Sequence, residues 1–328
     1  MTRSPFEQKF VSIKEIYARP TKIQHWQLRD LVHCDDDYFI YCVSDRCTVR
    51  YDTRSDKSTE IQKLSFTPTS LAVGSGFIAA GGQCSQLDVR HVENGSLVQS
   101  GGLGASVNNA LHIGSPAPSQ LRLYVANNDQ SVRVFALATM RPLARISTPT
   151  PSNYCALAPG GGLLACVGDA PDRGAPAVYL YRPMPAGYVA FGALRGYSDA
   201  GMSCAWSPSG ACLAAASQDG RCTIWDTRTR QAVAQVRAGG ACRCVKWAGG
   251  GADLLACSEH ESNVHIIDSR TWASQKITLA PGGEEPHISG LAFAPSGRRL
   301  FVGLSGAGLA LLDVDTLART TFAAGDVN

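Results

Sequence analysis

The phrase Asp219-Gly-Arg-Cys-Thr-Ile-Trp-Asp-Thr-Arg-Thr-Arg230 is echoed along nearly the whole chain. Aligning the residue that closes the same short apolar run in each copy gives anchors at Asp52, His91, Ala136, Arg182, Asp226, Asp268 and Asp313. They are spaced by 39, 45, 46, 44, 42 and 45 residues. Such a period, holding several strand-length runs and a Trp-Asp step, is that of a β-propeller with one four-stranded blade per repeat. A blade cannot bury both of its faces alone, so the repeats must stack in a ring. Seven of them consume most of the 328 residues and leave no room for a second domain. The expected fold is all-β: a seven-bladed propeller of four-stranded antiparallel blades over residues 30–325. Residues 1–29 form a basic N-terminal extension that packs on the ring.

The fifth repeat is the plainest. Met202–Ser207 reads as an apolar strand followed by a Pro-Ser-Gly turn, Cys212–Ser217 as the second, Cys222–Asp226 as the third and Ala232–Arg237 as the fourth. The seventh repeats this plan and ends on a predicted fourth strand, Leu317–Ala323. The fourth carries an insertion, residues 169–176, whose prolines and glycine predict an exposed loop. Phe10-Val-Ser-Ile13 alternates like a strand and is expected to pack where the ring closes.

Composition agrees with this frame. Hydrophobic residues make up 45% and charged residues 17%, which suits strands covered on both faces. The net charge of +3 comes from the front: residues 1–29 hold Arg3, Lys9, Lys14, Arg19, Lys22 and Arg29 against Glu7 and Glu15. The repeats lack the basic stripe of a nucleic-acid binder. The 12 cysteines include no CxxC. Cys42, Cys166 and Cys257 recur at one place in the second strand, and Cys155, Cys204 and Cys244 in the first, which reads as small buried apolar residues. Unpaired thiols in this number fit a reducing compartment, so the expected location is the cytoplasm or nucleus. No apolar run is long enough to span a membrane.

The repeats resemble the WD-repeat (transducin β-like) propellers, specifically in repeats five to seven and more loosely elsewhere. The run from Leu64 to Gln83 is similar to a stretch shared by uncharacterised fungal and plant members. Ser217, Asp219, Trp225 and Asp226 stand at the structural positions of the repeat. The Gly-His step that opens a repeat in this family is Gly196-Tyr197 and Gly239-Gly240 here, so the family's Trp–Ser–His–Asp hydrogen-bond tetrad cannot form in full.

Catalytic signatures are missing: there is no GxSxG elbow, HExxH or phosphate loop, and no cofactor or metal is implied. The glycine-rich run 303–308 lies in a strand–turn–strand, where no helix N-terminus is available for phosphate. His260 and His265 straddle a turn and read as solvated. Asp35, Asp36 and Asp37 also read as a solvated turn. The inner strands read as apolar and small, which argues against an enzyme working in the central channel. One motif stands out: Asp-x-Arg follows the third strand at Asp52–Arg54, Asp226–Arg228 and Asp268–Arg270. It is similar to the WDxR box of propellers that serve as substrate receptors for cullin ubiquitin ligases. The resemblance implies that Arg54, Arg228 and Arg270 would face the ligase adaptor. Two functions are therefore expected, a protein-interaction platform and such a receptor. Asp172 and Arg173 in the insertion, and Glu284, Glu285 and His287 between repeats six and seven, are further protein-binding candidates.

Overall fold

Residues 9–19, 21–103 and 106–315 are described by the computed structural model. They form seven four-stranded antiparallel sheets in a ring, a seven-bladed β-propeller. Blade five matches the sequence expectation nearly residue for residue: Gly201–Trp206, Cys212–Ser217, Arg221–Asp226 and Ala232–Arg237. The third strands of blades one, two, three, five and six end on the expected anchors, Asp52, His91, Ala136, Asp226 and Asp268. That of blade four runs on to Met184, and that of blade seven to Val314.

The anchors end strands for a local reason. In these five blades the third-to-fourth turn closes on a residue with positive φ, four beyond the anchor: Asp56, Gly95, Met140, Arg230 and Trp272. In four of these turns the backbone N–H of that residue returns to the anchor carbonyl, as from Arg230 to Asp226 at 2.8 Å and from Trp272 to Asp268 at 2.7 Å. An Asp at the anchor adds its carboxylate to the same turn. Thus Asp52 accepts the Arg54 N–H and Asp268 the Arg270 N–H, each at 2.9 Å, whereas Asp226 takes the Thr229 N–H and hydroxyl.

Blade seven is built from both ends of the described chain. Its inner strands are Ile288–Phe293, Arg299–Leu304 and Gly308–Val314, and its outer strand is Val11–Tyr17. Leu317–Ala323, expected in that outer place from sequence, lies outside the described residues. Phe10 and Val11 donate their backbone N–H groups to Gln275 Oε1 in blade six, and Gln275 Nε2 returns a bond to the Val11 carbonyl at 2.9 Å. Farther along, Arg19 pairs with Asp56 of blade one at 2.9 Å, and Tyr17 packs edge-on against Tyr51. The N-terminal segment thus ties blade seven to both neighbours. At this seam a Cβ on Gly303 would lie 2.2 Å from Ser289 Oγ and 2.5 Å from Val32, so only glycine fits there.

Apolar side chains fill the spaces between blades. Trp225 is 1% exposed and shares a cluster with Leu164, Val178, Leu194 and Tyr197 of blade four and its connection to blade five. The up-and-down path of each blade gives the ring two unlike faces. First-to-second and third-to-fourth turns lie on one, here called the turn face. Second-to-third turns and the passages between blades lie on the other, the junction face.

Candidate functional site

The channel departs from the sequence expectation. Strand pairing puts one position of each inner strand on a common rung: His33 opposite Tyr41, Ala72 opposite Ala79, His112 opposite Tyr124, Ala156 opposite Ala165, Ala205 opposite Ala214, Lys246 opposite Ala256 and Ala292 opposite Phe301. Four blades carry alanine, and blades one, three and six carry two histidines and a lysine. Asp30 and Tyr154 reach into the same space. Lys246 Nζ lies 2.9 Å from Asp30 Oδ1 and donates to the Tyr154 hydroxyl at 2.8 Å, which in turn donates to Asp30 Oδ2 at 2.7 Å. His33 Nε2 stands 3.6 Å from Asp30 Oδ1. Blades one, four and six are thereby braced across the channel. The inner strands are not uniformly apolar and small; their polar residues look isolated in sequence because the ring alone brings them together.

Electrostatics explain how this cluster tolerates burial. Burial alone would lift the Asp30 carboxyl, yet Lys246, His33 and the Tyr154 hydroxyl outweigh it and hold its pKa below the usual carboxylate range. Lys246 is depressed by burial but raised more by Asp30 and Tyr154, and ends well above its ordinary value. Burial, then Lys246, pushes His112 down to about 4. Its Nε2 accepts the Leu157 N–H at 3.1 Å, a bond that only the neutral ring can accept. A cavity of about 300 Å³ on the turn-face side is lined by His112, Tyr154, Trp206, Lys246 and Trp247. Its polar groups are turned on one another: Trp206 and Trp247 donate to the carbonyls of Ala156 and Ala205. Chemically this is a charged brace. Aligning the repeats on their second strands would have revealed the three polar substitutions, though not their meeting with Asp30 and Tyr154.

The sequence candidates divide between the two faces. Arg54, Arg228 and Arg270 occupy equivalent turns on the turn face. Arg54 Nε sits 3.2 Å from Asp52, and Arg270 Nη2 sits 3.2 Å from Asp268, so both lean on their own anchors. Arg228 is exposed and makes no such ion pair, because Asp226 is engaged by Thr229. Asp172, Arg173, Glu284, Glu285 and His287 are exposed on the junction face. There Glu261 stands between His260 and His287, at 3.6 and 3.5 Å. His265 is not a solvated turn residue: it is buried, with Nε2 2.8 Å from Glu259 Oε1. The Asp35–Asp37 turn is bound inward as well, Asp36 capping Tyr38 and Phe39 and Asp35 accepting the Tyr41 hydroxyl.

In blade five the missing histidine is replaced by other contacts. Trp225 Nε1 donates to the Arg195 carbonyl at 3.1 Å, and the Tyr197 ring meets its indole edge-on. Asp219 accepts the Ser198 N–H and hydroxyl at 2.7 and 2.8 Å, while the Ser217 hydroxyl donates to the Ala200 carbonyl. All 12 cysteines are free, and Cys42, Cys166 and Cys257 do share a rung of the second strand. Cys155 and Cys204 share one in the first, but Val245 takes that place in blade six, with Cys244 one residue earlier.

Comparison with known proteins agrees with this architecture. Residues 192–226 match the family model described as WD domain, G-beta repeat, and residues 240–278 match DUF2415, an uncharacterised protein domain. Over 302 residues the chain is 25% identical to an uncharacterised protein of Schizosaccharomyces pombe, covering 85% of this chain and 84% of that protein. A chain in the crystal structure of a mitotic checkpoint complex superposes with a TM-score of 0.78 at 15% identity, over 96% of this chain and 95% of that one, a likeness of fold. Ring, repeat spacing and repeat match together define a WD-type propeller. The chain carries a WD repeat at residues 192–226 and is similar in fold to the WD-repeat propellers.

Proposed function

We propose that the protein is a non-enzymatic platform that holds protein partners on its loop faces. The WD-repeat fold supports this in general. The observation that carries it for this chain is the closed brace: Asp30, Tyr154 and Lys246, the polar groups that meet inside the channel, are spent on one another, which leaves recognition to the faces and their rims. Tagged protein purified from its own cells should carry a partner in near-stoichiometric amount, identified by mass spectrometry. A protein recovered alone, together with a small-molecule turnover that Tyr154→Phe abolishes, would overturn the reading.

A second reading, the cullin-ligase receptor, is favoured by one observation: three Asp-x-Arg turns share a face, and Arg228 on it forms no ion pair among the described residues. Loss of a charge-assisted contact from a desolvated interface costs about 2–5 kcal/mol. Arg228→Ala with Arg270→Ala should then strip a ligase adaptor from the purified protein. Purifications that never contain an adaptor would leave the general platform standing alone.

A further inference from the structure

Two other buried charges have no brace. Arg29 precedes the inner strand of blade one and Arg243 is the second residue of the inner strand of blade six, so both stand at the junction-face mouth of the channel. Each is only 6% exposed. Arg29 Nη1 donates to the carbonyls of His25 and Leu28, at 2.7 and 2.9 Å, and Arg243 Nη1 reaches only the weak acceptor Met202 Sδ. Neither Nε has a hydrogen-bond partner, and neither guanidinium forms an ion pair among the described residues. The nearest influence of opposite sign is Glu261 for Arg29 and Asp199 for Arg243. Glu261 is shared with His260 and His287, and the Asp199 carboxylate accepts the Ala200 N–H.

A buried charge without a partner is among the most costly features a fold can carry, and two of like sign side by side cost more. Burial, then the neighbouring Arg243, pushes Arg29 down to about 10, in the direction that an uncompensated buried cation must go. Trp26 borders the pair: its ring centroid lies 6.0 Å from the Arg243 guanidinium, and it is 68% exposed. Arginine donors beside an exposed aromatic wall form a receptor for a compact anion. A phosphate monoester carries about −1.5 to −2 charge at pH 7 and three acceptor oxygens, enough to neutralise both guanidinium groups; a single carboxylate leaves one uncompensated.

We propose that Arg29 and Arg243 form a binding site for a phosphate monoester at the junction-face mouth of the channel, with Trp26 as its aromatic wall. The inference stands apart from the platform reading, since phosphate is bound or refused whether or not a protein partner is recovered.

The test compares melting in sodium phosphate and in sodium chloride at matched ionic strength, for the wild type and for Arg243→Met. Phosphate near 100 times its Kd should raise the wild-type Tm by about 4 °C or more, and chloride should not. Arg243→Met removes one of two repelling charges, so without phosphate it should melt above the wild type and show no phosphate response. Calorimetric titration with an alanine tripeptide bearing a central phosphoserine, and with its glutamate counterpart, separates the sources. Tenfold or greater preference for the phosphorylated form, lost in both Arg243→Met and Arg29→Gln, assigns the site to a modified side chain. A response to inorganic phosphate without one to the peptide assigns it to free phosphate. A wild type indifferent to phosphate and to both peptides, with Arg243→Met melting lower, would show the arginines to be packing elements and overturn the proposal.

Discussion

Arg29 and Asp30 are neighbours in sequence, and Arg243 and Lys246 sit three residues apart on one strand, yet the two pairs of buried charges have opposite fates. Asp30 and Lys246 meet across the channel at 2.9 Å and share the Tyr154 hydroxyl, while Arg29, pushed down by burial and by the charge of Arg243, forms no ion pair among the described residues, and neither does Arg243. One short stretch of channel therefore holds both a compensated and an uncompensated pair. The contrast teaches that burial alone does not mark a recognition site. A paired charge is structure; an unpaired one needs a partner from outside.

The strongest way to break this contrast is to remove half of the brace. Lys246→Met leaves Asp30 buried without its counter-charge, and the expected loss is about 3–5 kcal/mol in a urea or thermal melt. Replacing both, Lys246→Met with Asp30→Leu, should recover most of that loss, because an apolar pair avoids the desolvation cost altogether. If the single variant melts like the wild type, the brace is not formed in solution and the comparison collapses.

Acid should loosen the brace next. His33 and His112 both have folded pKa values below their unfolded value near 6.5, His112 down to about 4. Their neutral forms are therefore favoured by the fold, and the stability they contribute is complete above pH 6.5. It is lost as pH falls from about 6.5 to about 4, by at most about 3 kcal/mol from His112 and less to the extent that solvent reaches the ring. Asp30, also depressed, adds a further loss only below its unfolded value of 3.8. Melting temperatures should hold level from pH 7.5 to about 6.5 and fall between about 6.5 and 4.5, and His112→Gln should flatten that fall. A flat profile in the wild type would remove His112 from the buried cluster.

Removing the brace's hydroxyl is a gentler test. Tyr154→Phe leaves the ion pair intact but deletes the bond to Asp30 Oδ2 and an acceptor for Lys246, an expected cost of about 1.5–3 kcal/mol. Combined with Lys246→Met, the losses should fall well short of additive, since the two residues belong to one network.

Much of this molecule was legible in its sequence because its rules are local. The spacing of Asp52, Asp226 and Asp268 recorded turns that close within four residues, so blade number and third-strand ends followed directly. Blade five could be drawn almost entirely from Pro208, Gly210, Gly220 and Trp225. What could not be read were contacts made only when the ring closes. His33, His112 and Lys246 are lone polar residues in three apolar strands, and their common rung exists only in the strand register. Tyr154 and Asp30 are 124 positions apart. The outer strand of blade seven shows the same limit: Leu317–Ala323 continues the local pattern, but Val11–Tyr17 takes the place, held by Gln275 of a different blade. The Asp-x-Arg motif was visible as a pattern, whereas the different fate of Arg228, left exposed because Thr229 captures Asp226, depends on side-chain detail that the motif does not encode.

The smallest expected effect completes the comparison from the solvent side. Arg228 is exposed, and Arg270 is 38% exposed while leaning on Asp268. Charges in such positions interact through water, and exposed pairs contribute about 0–1 kcal/mol at most. Arg228→Ala should therefore shift stability by less than about 0.5 kcal/mol. Adding Arg270→Ala should bring the total to no more than about 1 kcal/mol, the excess arising from the contact with Asp268. The same double variant is the one that tests the turn face for partners, so near-neutral melting is what makes its binding result interpretable. A loss above about 2 kcal/mol would mean that these arginines are structural members of their turns. The turn face would then belong, with the brace, to the part of the molecule whose charges are already answered from within.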